Sequence, residues 1–522
     1  MIKSYLNLLF CFVSIVLHGQ PVDSIVRQSD LVFRNEAEKK TFFSSLDGTS
    51  QYLDLFLSTP ENNEVTNPTS VLFMINNCVN ELKEVIKGKT QEKQVKYIYT
   101  YVHRKFFTKY EHKNSFSEIF EKGFYNCVSS TALYAIIFSK LEIPFRIMEK
   151  PAHVFLIAYP ETHRIFIETT SPDKGYIQFS DSYIRDYVKY LYTEHIISQR
   201  DYESKPAPDL FEKYYYSSAP VSLRTLVGIQ FANFCIYQMN DRNYPVAACE
   251  MKKACYLDDY GRNRHLLKFV LIMEVNSNNY NQETFVKDLA ILCRFNGIND
   301  MDVTDQFIKE EFQRLTHHQL TERSDFEKYD ESFREITNAI KDTALRKEVA
   351  FIYHYELARL GFIDPKNDAY VLEHLRAAYK VNPEQAELRN IVILNLSRKV
   401  EKSNEADRIF RMLTETSGDF PFIATNAWYN SVKSNCILQL AYQNFLLGSV
   451  QKAENYLRDF ETLKAADKTL EPTDAFIERA YSEAATYYYK KGNVKKCREL
   501  LKKGLFYLPD SFALQMRLNQ VH

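Results

Sequence analysis

From about residue 221 to the C-terminus the chain repeats one helical pattern, and that repetition restricts the fold more than any other feature. Near the end, a turn glycine at Gly492 is followed by small Cys497, small Gly504 and then Pro509, at steps of five, seven and five. Gly448 and Ala453, leading to Leu457, repeat the first half of this pattern, and Ala378 and Pro383 repeat the second. Asn243, Ala247, Ala254 and Asp259, at steps of four, seven and five, approach the same spacing without the proline. Small residues at fixed places let two helices approach closely, and proline ends the second because it clashes with the preceding turn and has no N–H. Paired helices stacked in series are the expected result. The composition agrees: 13 Gly and 16 Pro against 36 Tyr and 37 Phe suit long packed helices better than loops. Between about residues 273 and 341 only helical periodicity can be read.

At these positions the chain resembles the tetratricopeptide repeat (TPR), whose period is about 34 residues. The match is best over residues 480–511, fainter over 439–463 and 351–383, and faintest over 223–259. The resemblance implies an all-α TPR-like solenoid over residues 221–522 that presents a concave face to a peptide or protein partner.

A chain of 522 residues is too long for one core, so further domains are expected upstream. Lys3, a mostly apolar run from Tyr5 to Leu17 and the small Gly19 form a signal-peptide pattern over residues 1–19. Cleavage after Gly19 is favoured, since Pro21 obstructs a cut at Gln20. Export to a periplasm or the exterior follows, with an N-terminal membrane anchor as the alternative if the leader is retained. No later run reaches the length of a membrane span. Residues 20–89 read as a helical segment packing on the next domain, with Val71, Met74, Ile75, Cys78, Leu82 and Ile86 on one face. Residues 90–203 combine helices at about 91–110 and 127–141 with short β-branched or aromatic runs, an α+β arrangement against a small antiparallel sheet. Residues 204–220, with Lys205-Pro206-Ala207-Pro208, read as a linker.

With 66 basic and 67 acidic residues the net charge is -1, and no local Lys/Arg cluster stands out, so a nucleic-acid partner is not expected. Eight of nine cysteines lie beyond the leader. Cys235, Cys249, Cys255, Cys436 and Cys497 sit among apolar or small residues at helical spacing and read as core. No metal-ligand spacing occurs, His317-His318 being an isolated pair, and no metal or cofactor is expected.

The chemistry concentrates at Tyr125-Asn126-Cys127-Val128-Ser129-Ser130, Ala152-His153-Val154 and Ile167-Glu168-Thr169. Gly123 and Asn126 can stop the preceding chain and cap a helix that opens at Cys127. The helix dipole and free N–H groups there stabilise a thiolate and could hold an oxyanion. His153 opens a strand. If that strand folds back about Pro160-Glu161, residues whose numbers sum to 321 face each other, and His153 and Glu168 satisfy the sum. A nucleophile, a base and a group that orients the base are then in place. Asp173 and Glu161 are rival third members.

Over about residues 89–176, at Asn126-Cys127, Ala152-His153-Val154 and Phe166-Ile167-Glu168, the chain resembles the transglutaminase-like branch of the papain-like cysteine superfamily. Leu141-Glu142-Ile143-Pro144-Phe145-Arg146 is similar to that family's helix-to-strand step. The resemblance implies a Cys127–His153–Glu168 triad in a cysteine peptidase, amidase or acyltransferase working through a thioester. Two departures mark it. The third residue is Glu rather than Asp, and no upstream Gln or Trp takes the oxyanion role, for which Asn126 or Tyr125 are substitutes. The alternative reading is a catalytically inert domain of this type in a protein-interaction scaffold.

Overall fold

The computed structural model describes residues 24–521 except 45–51, 59–66, 173–174, 178, 217–218, 260, 278–279, 281–283, 298–301 and 363–367. The leader expected at residues 1–19 lies outside the described residues. The chain forms two compact units, one running to Glu311 and including Arg334–Lys341, the other made of Phe312–Phe333 and Asp342–His522. Among the described residues no helix is long and apolar enough to cross a membrane.

The first unit opens with α1 (Glu36–Ser44), α2 (Tyr52–Leu57), α3 (Pro68–Ile86) and α4 (Gln91–Phe106). The helix expected over 91–110 stops at Phe106, because Lys109–Tyr110 (β1) pairs in parallel with Phe124–Tyr125 (β2). Between them lies the single turn α5 (Glu118–Glu121), and after them comes α6 (Cys127–Lys140). There follow β3 (Phe145–Lys150), β4 (His153–Ala158), β5 (Ile165–Ile167) and β6 (Tyr176–Ile177), then α7 (Asp181–Thr193), α8 (Gln199–Ser204), α9 (Ala207–Tyr215) and β7 (Ala219–Val221). The main sheet has the order β6-β5-β4-β3-β7, with antiparallel neighbours throughout. Every residue of α6 from Val128 to Phe138 is buried, so α6 has no solvent stripe and is a central helix. It packs against β4 and β3 and against the helix Leu223–Asn240.

The stretch read as a linker is part of this fold. Pro206 and Pro208 flank the first residue of α9, where a missing N–H costs nothing. Leu210 and Phe211 of α9 are buried with Met148, Phe155 and Phe166 of the sheet, and β7 pairs with β3 at Ile147↔Val221 and Glu149↔Ala219.

The helices α10 (Leu223–Asn240), α11 (Tyr244–Leu257), α12 (Gly261–Val275) and α13 (Phe285–Phe295) also belong to the first unit, so the expected domain boundary at 204–220 is displaced. Buried charge explains their attachment. Lys253 on α11 is bonded by Glu250 of its own helix at 2.9 Å and by Glu38 of α1 at 2.6 Å. Arg294 of α13 pairs with Asp30. Buried cations need such partners, and Asp30 and Glu38 of the N-terminal segment supply them.

Two further helices, Asp305–Thr316 and Phe326–Ala339, flank a π-helical turn His317–Glu322, where His318 is bonded to Glu322 at 2.7 Å. In the second unit three tight hairpins stand out: Thr343–Gly361 with Asp368–Val381, Ala427–Leu446 with Val450–Ala466, and Asp474–Lys490 with Val494–Tyr507. Ala386–Glu401 and Ala406–Asp419 lie between the first two, and Phe512–Gln520 follows the last. Gly492 turns the last hairpin at φ +73°, left-handed backbone that glycine adopts without a Cβ clash. The last two hairpins start 47 residues apart (474 − 427), beyond the period of about 34 for the TPR. The helices inside that interval, of 20 and 17 residues, take up much of the difference.

Candidate active site

Asn126 builds the start of α6. Its side-chain oxygen accepts from the N–H of Val128 at 3.0 Å and of Ser129 at 2.9 Å, while its own N–H donates to Ser129 Oγ at 2.9 Å. Cys127 is therefore the first residue of a capped helix, half-buried, and all eight described cysteines are free. The cap corrects one expectation. The Val128 and Ser129 amides are occupied by Asn126 and the Ser130 amide by the Asn126 carbonyl, so of the first turn only the Cys127 N–H is left for an oxyanion.

The hairpin register also differs from expectation. Leu156↔Ile167, Ile157↔Phe166 and Ala158↔Ile165 sum to 323, not 321. Tyr159 and Arg164 both take positive φ, and the Tyr159 carbonyl accepts from the N–H groups of Thr162, His163 and Arg164, closing a six-residue loop over 159–164. A shift of two in the sum keeps side-chain parity, because faces alternate with period two. His153 and Glu168 thus stay on one face but become diagonal neighbours, about 7–8 Å apart at the backbone. The longer glutamate spans that diagonal: His153 Nε2 lies 2.7 and 2.8 Å from the two Glu168 carboxylate oxygens. The methylene that glutamate has beyond aspartate is what this register uses.

Nε2 is committed to Glu168, and Cys127 lies near enough to act on the same imidazole. Burial pulls the imidazole pKa down, but the hydrogen bonds and charges of Cys127 and Glu168 outweigh it and hold His153 up at about 9. Burial pushes Glu168 up, and the bonds and charge of His153 together with the Thr170 hydroxyl at 2.8 Å outweigh that, leaving the carboxyl below its usual range. The imidazole is charged at neutral pH and flanked by an anion on Nε2. Around the pair, the Tyr110 hydroxyl is raised by burial and by the charges of Cys127 and Glu168. Tyr216, stacked on Phe166 at 4.5 Å, is raised by burial, by Tyr215 and by Glu168.

Of the rival third members, Glu161 is exposed and pairs with Arg146, while Asp173 lies outside the described residues. Among the described residues no group of three His, Cys, Asp or Glu side chains is placed to hold a metal.

Several supporting residues escaped the sequence reading. Ser130 Oγ and Thr131 Oγ1 meet Thr169 Oγ1 at 2.9 and 3.0 Å, and all three are fully buried, fastening α6 to the chain beside Glu168. Tyr99 of α4 donates to the carbonyls of Ser171 and Glu168. Gly175 accepts the Glu168 N–H on its carbonyl, and a Cβ there would collide with the Tyr99 hydroxyl and the Glu168 and Ser171 carbonyls. The polar run Ser129-Ser130-Thr131 inside an apolar helix was the available signal for the first group.

The fold so built is a small antiparallel sheet with a central helix, joined in one chain to stacked helical hairpins. No family model matches the chain, and no curated protein is similar to it. Among solved structures, a tetratricopeptide repeat protein from Parabacteroides merdae ATCC 43184 is similar at 12% identity and a TM-score of 0.18, over 56% of this chain and 97% of that one. At that TM-score the likeness carries no structural argument, and the helical hairpins stand on the coordinates of this chain alone.

Proposed function

We propose that the first unit is a transglutaminase-like cysteine peptidase or amidase, with Cys127 as nucleophile, His153 as proton carrier and Glu168 as the residue that orients His153. The observation that carries this reading is His153 itself, bonded through Nε2 to Glu168 and raised in pKa by Cys127 and Glu168 together. In the reaction the Cys127 thiolate attacks an amide carbonyl carbon and a tetrahedral oxyanion forms facing the Cys127 N–H. The His153 imidazolium gives its proton to the departing amine as the C–N bond breaks, leaving a thioester. Water deprotonated by His153, or a second amine, then takes the acyl group.

The helical hairpins of the second unit fit the TPR-like reading of a peptide- or protein-binding scaffold, and residues 1–19 fit an export leader. The scaffold without catalysis is the second reading, favoured by the occupied amides at the start of α6. Incubation with a casein-derived glutamine peptide, with and without a primary amine, tests the proposal by mass spectrometry. Acyl adducts or hydrolysis that vanish in Cys127→Ala and persist in Cys497→Ala support it. A purified chain that forms no thioester and turns over no amide leaves the scaffold reading.

A further inference from the structure

Away from the triad, an open, solvent-facing groove of about 730 Å³ runs along α4, bordered among the described residues by Lys89, Lys93, Lys96, Arg104 and Lys105 with Tyr97, Thr100 and Tyr101. Five cations and, among the described residues, no acid line it, in a chain whose net charge is -1. This corrects the expectation that no local basic cluster exists. Lys93, Lys96 and Arg104 follow the steps of three and eight that place residues on one side of α4, and Lys89 precedes its first turn. Lys105 is paired with Glu81 at 2.7 Å. Among the described residues no carboxylate pairs with the other four. Two of the cations are held in place by rings: Lys96 lies 5.5 Å from the centre of Tyr176, and Lys105 lies 5.1 Å from that of Tyr101. Tyr97 and Tyr101 stack with centroids 6.2 Å apart, stiffening the wall.

We infer that this groove binds a ligand carrying several clustered phosphate groups. The charge sets the number: a phosphate ester carries about −1.5 to −2 at neutral pH, so two or three groups balance the four cations left after Lys105 pairs with Glu81. The size fits a small molecule or a headgroup, since ligand sites commonly measure about 300–1,000 Å³. Leaving four cations together without counter-charge is unfavourable for folding by itself and becomes favourable once an anion joins them.

The test is calorimetric titration of the full chain with sodium tripolyphosphate, alongside sedimentation with phosphatidylcholine vesicles doped with a bisphosphorylated inositol lipid. Binding of tripolyphosphate that weakens steeply as salt rises is expected, as is a loss of at least about tenfold in Lys89→Gln/Lys93→Gln/Lys96→Gln. The control Lys452→Gln/Lys491→Gln/Lys495→Gln, elsewhere on the chain, should bind like the parent. Tripolyphosphate binding without vesicle binding identifies a soluble ligand, and stronger vesicle binding at matched phosphate identifies a lipid headgroup. Both sustain the inference. Absence of binding to either, equal loss in the control, or tighter binding of single-stranded oligothymidine than of both probes overturns it. Unchanged melting curves of the variants keep misfolding out of the comparison.

Discussion

Replacing Glu168 by Gln preserves shape and removes the charge that faces His153 Nε2. The imidazole is lifted from an ordinary 6.5 to about 9, which corresponds to about 3 kcal/mol at 1.36 kcal/mol per pH unit. Cys127 supplies the largest upward influence, and the hydrogen bond and charge of Glu168 follow it, so Glu168 carries part of that figure. The Glu168 side chain is 31% exposed, and solvent screening trims that share to about 1 kcal/mol. Glu168→Gln should therefore lower the His153 pKa towards about 8 and slow alkylation of Cys127 at neutral pH by about fivefold. Carbon-13 NMR of labelled histidine reads the first effect, and stopped-flow iodoacetamide labelling followed by mass spectrometry reads the second. Stability follows with a fixed sign. Because the folded pKa of His153 is raised, its contribution is complete below about 6.5 and is lost as pH rises through about 9. The parent's melting temperature should fall across that window, and Glu168→Gln should flatten the fall. Unchanged alkylation together with an unchanged His153 titration would refute the diagonal pair as the source of the elevation.

A short iodoacetamide pulse should label Cys127 before every other thiol, since Cys127 is half-buried beside a charged imidazole whereas burial pushes Cys78 and Cys436 up to about 11; faster labelling at Cys436 would contradict the site. Gly175→Ala should cost about 1–3 kcal/mol by overpacking and should also slow Cys127 alkylation, because the clash falls on the Tyr99 and Glu168 contacts; a drop in melting temperature with normal alkylation would separate fold from site. Glu274 is fully buried without a hydrogen-bond partner for either oxygen, and burial raises it to about 7. Its contribution is thus complete below about 4.5 and lost as pH rises through about 7, so Glu274→Gln should raise the melting temperature at pH 8.5 relative to the parent, by up to about 3 kcal/mol in stability, and should do little at pH 4. Truncation that begins the chain at residue 223 should remove β7 from β3 and the N-terminal partners of Lys253 and Arg294; circular dichroism should show a less cooperative melt than for residues 342–522 alone.

The sequence alone determined the helical hairpins, because glycine turns and small residues at fixed steps are local constraints that every turn of helix repeats. It also singled out a capped cysteine at a helix start, a histidine at a strand start, and a carboxylate whose parity along the returning strand keeps it on the face of the histidine, and the last two meet. Tertiary structure decided the rest. The register came from a six-residue loop closed on the Tyr159 carbonyl, a count that no tight-turn residue announces, and it turned a directly opposed pair into a diagonal one that glutamate can span. The extent of the first unit came from buried charges. Lys253 finds Glu38 across 215 residues of chain, and nothing local in either segment records that pairing. Residues 204–220 carry prolines that read locally as a break, yet their apolar side chains and one short strand find the open edge of a sheet. Periodicity is a property of neighbours in sequence, whereas an unfilled sheet edge or an unpaired buried cation is satisfied only by whatever the folded chain brings to it.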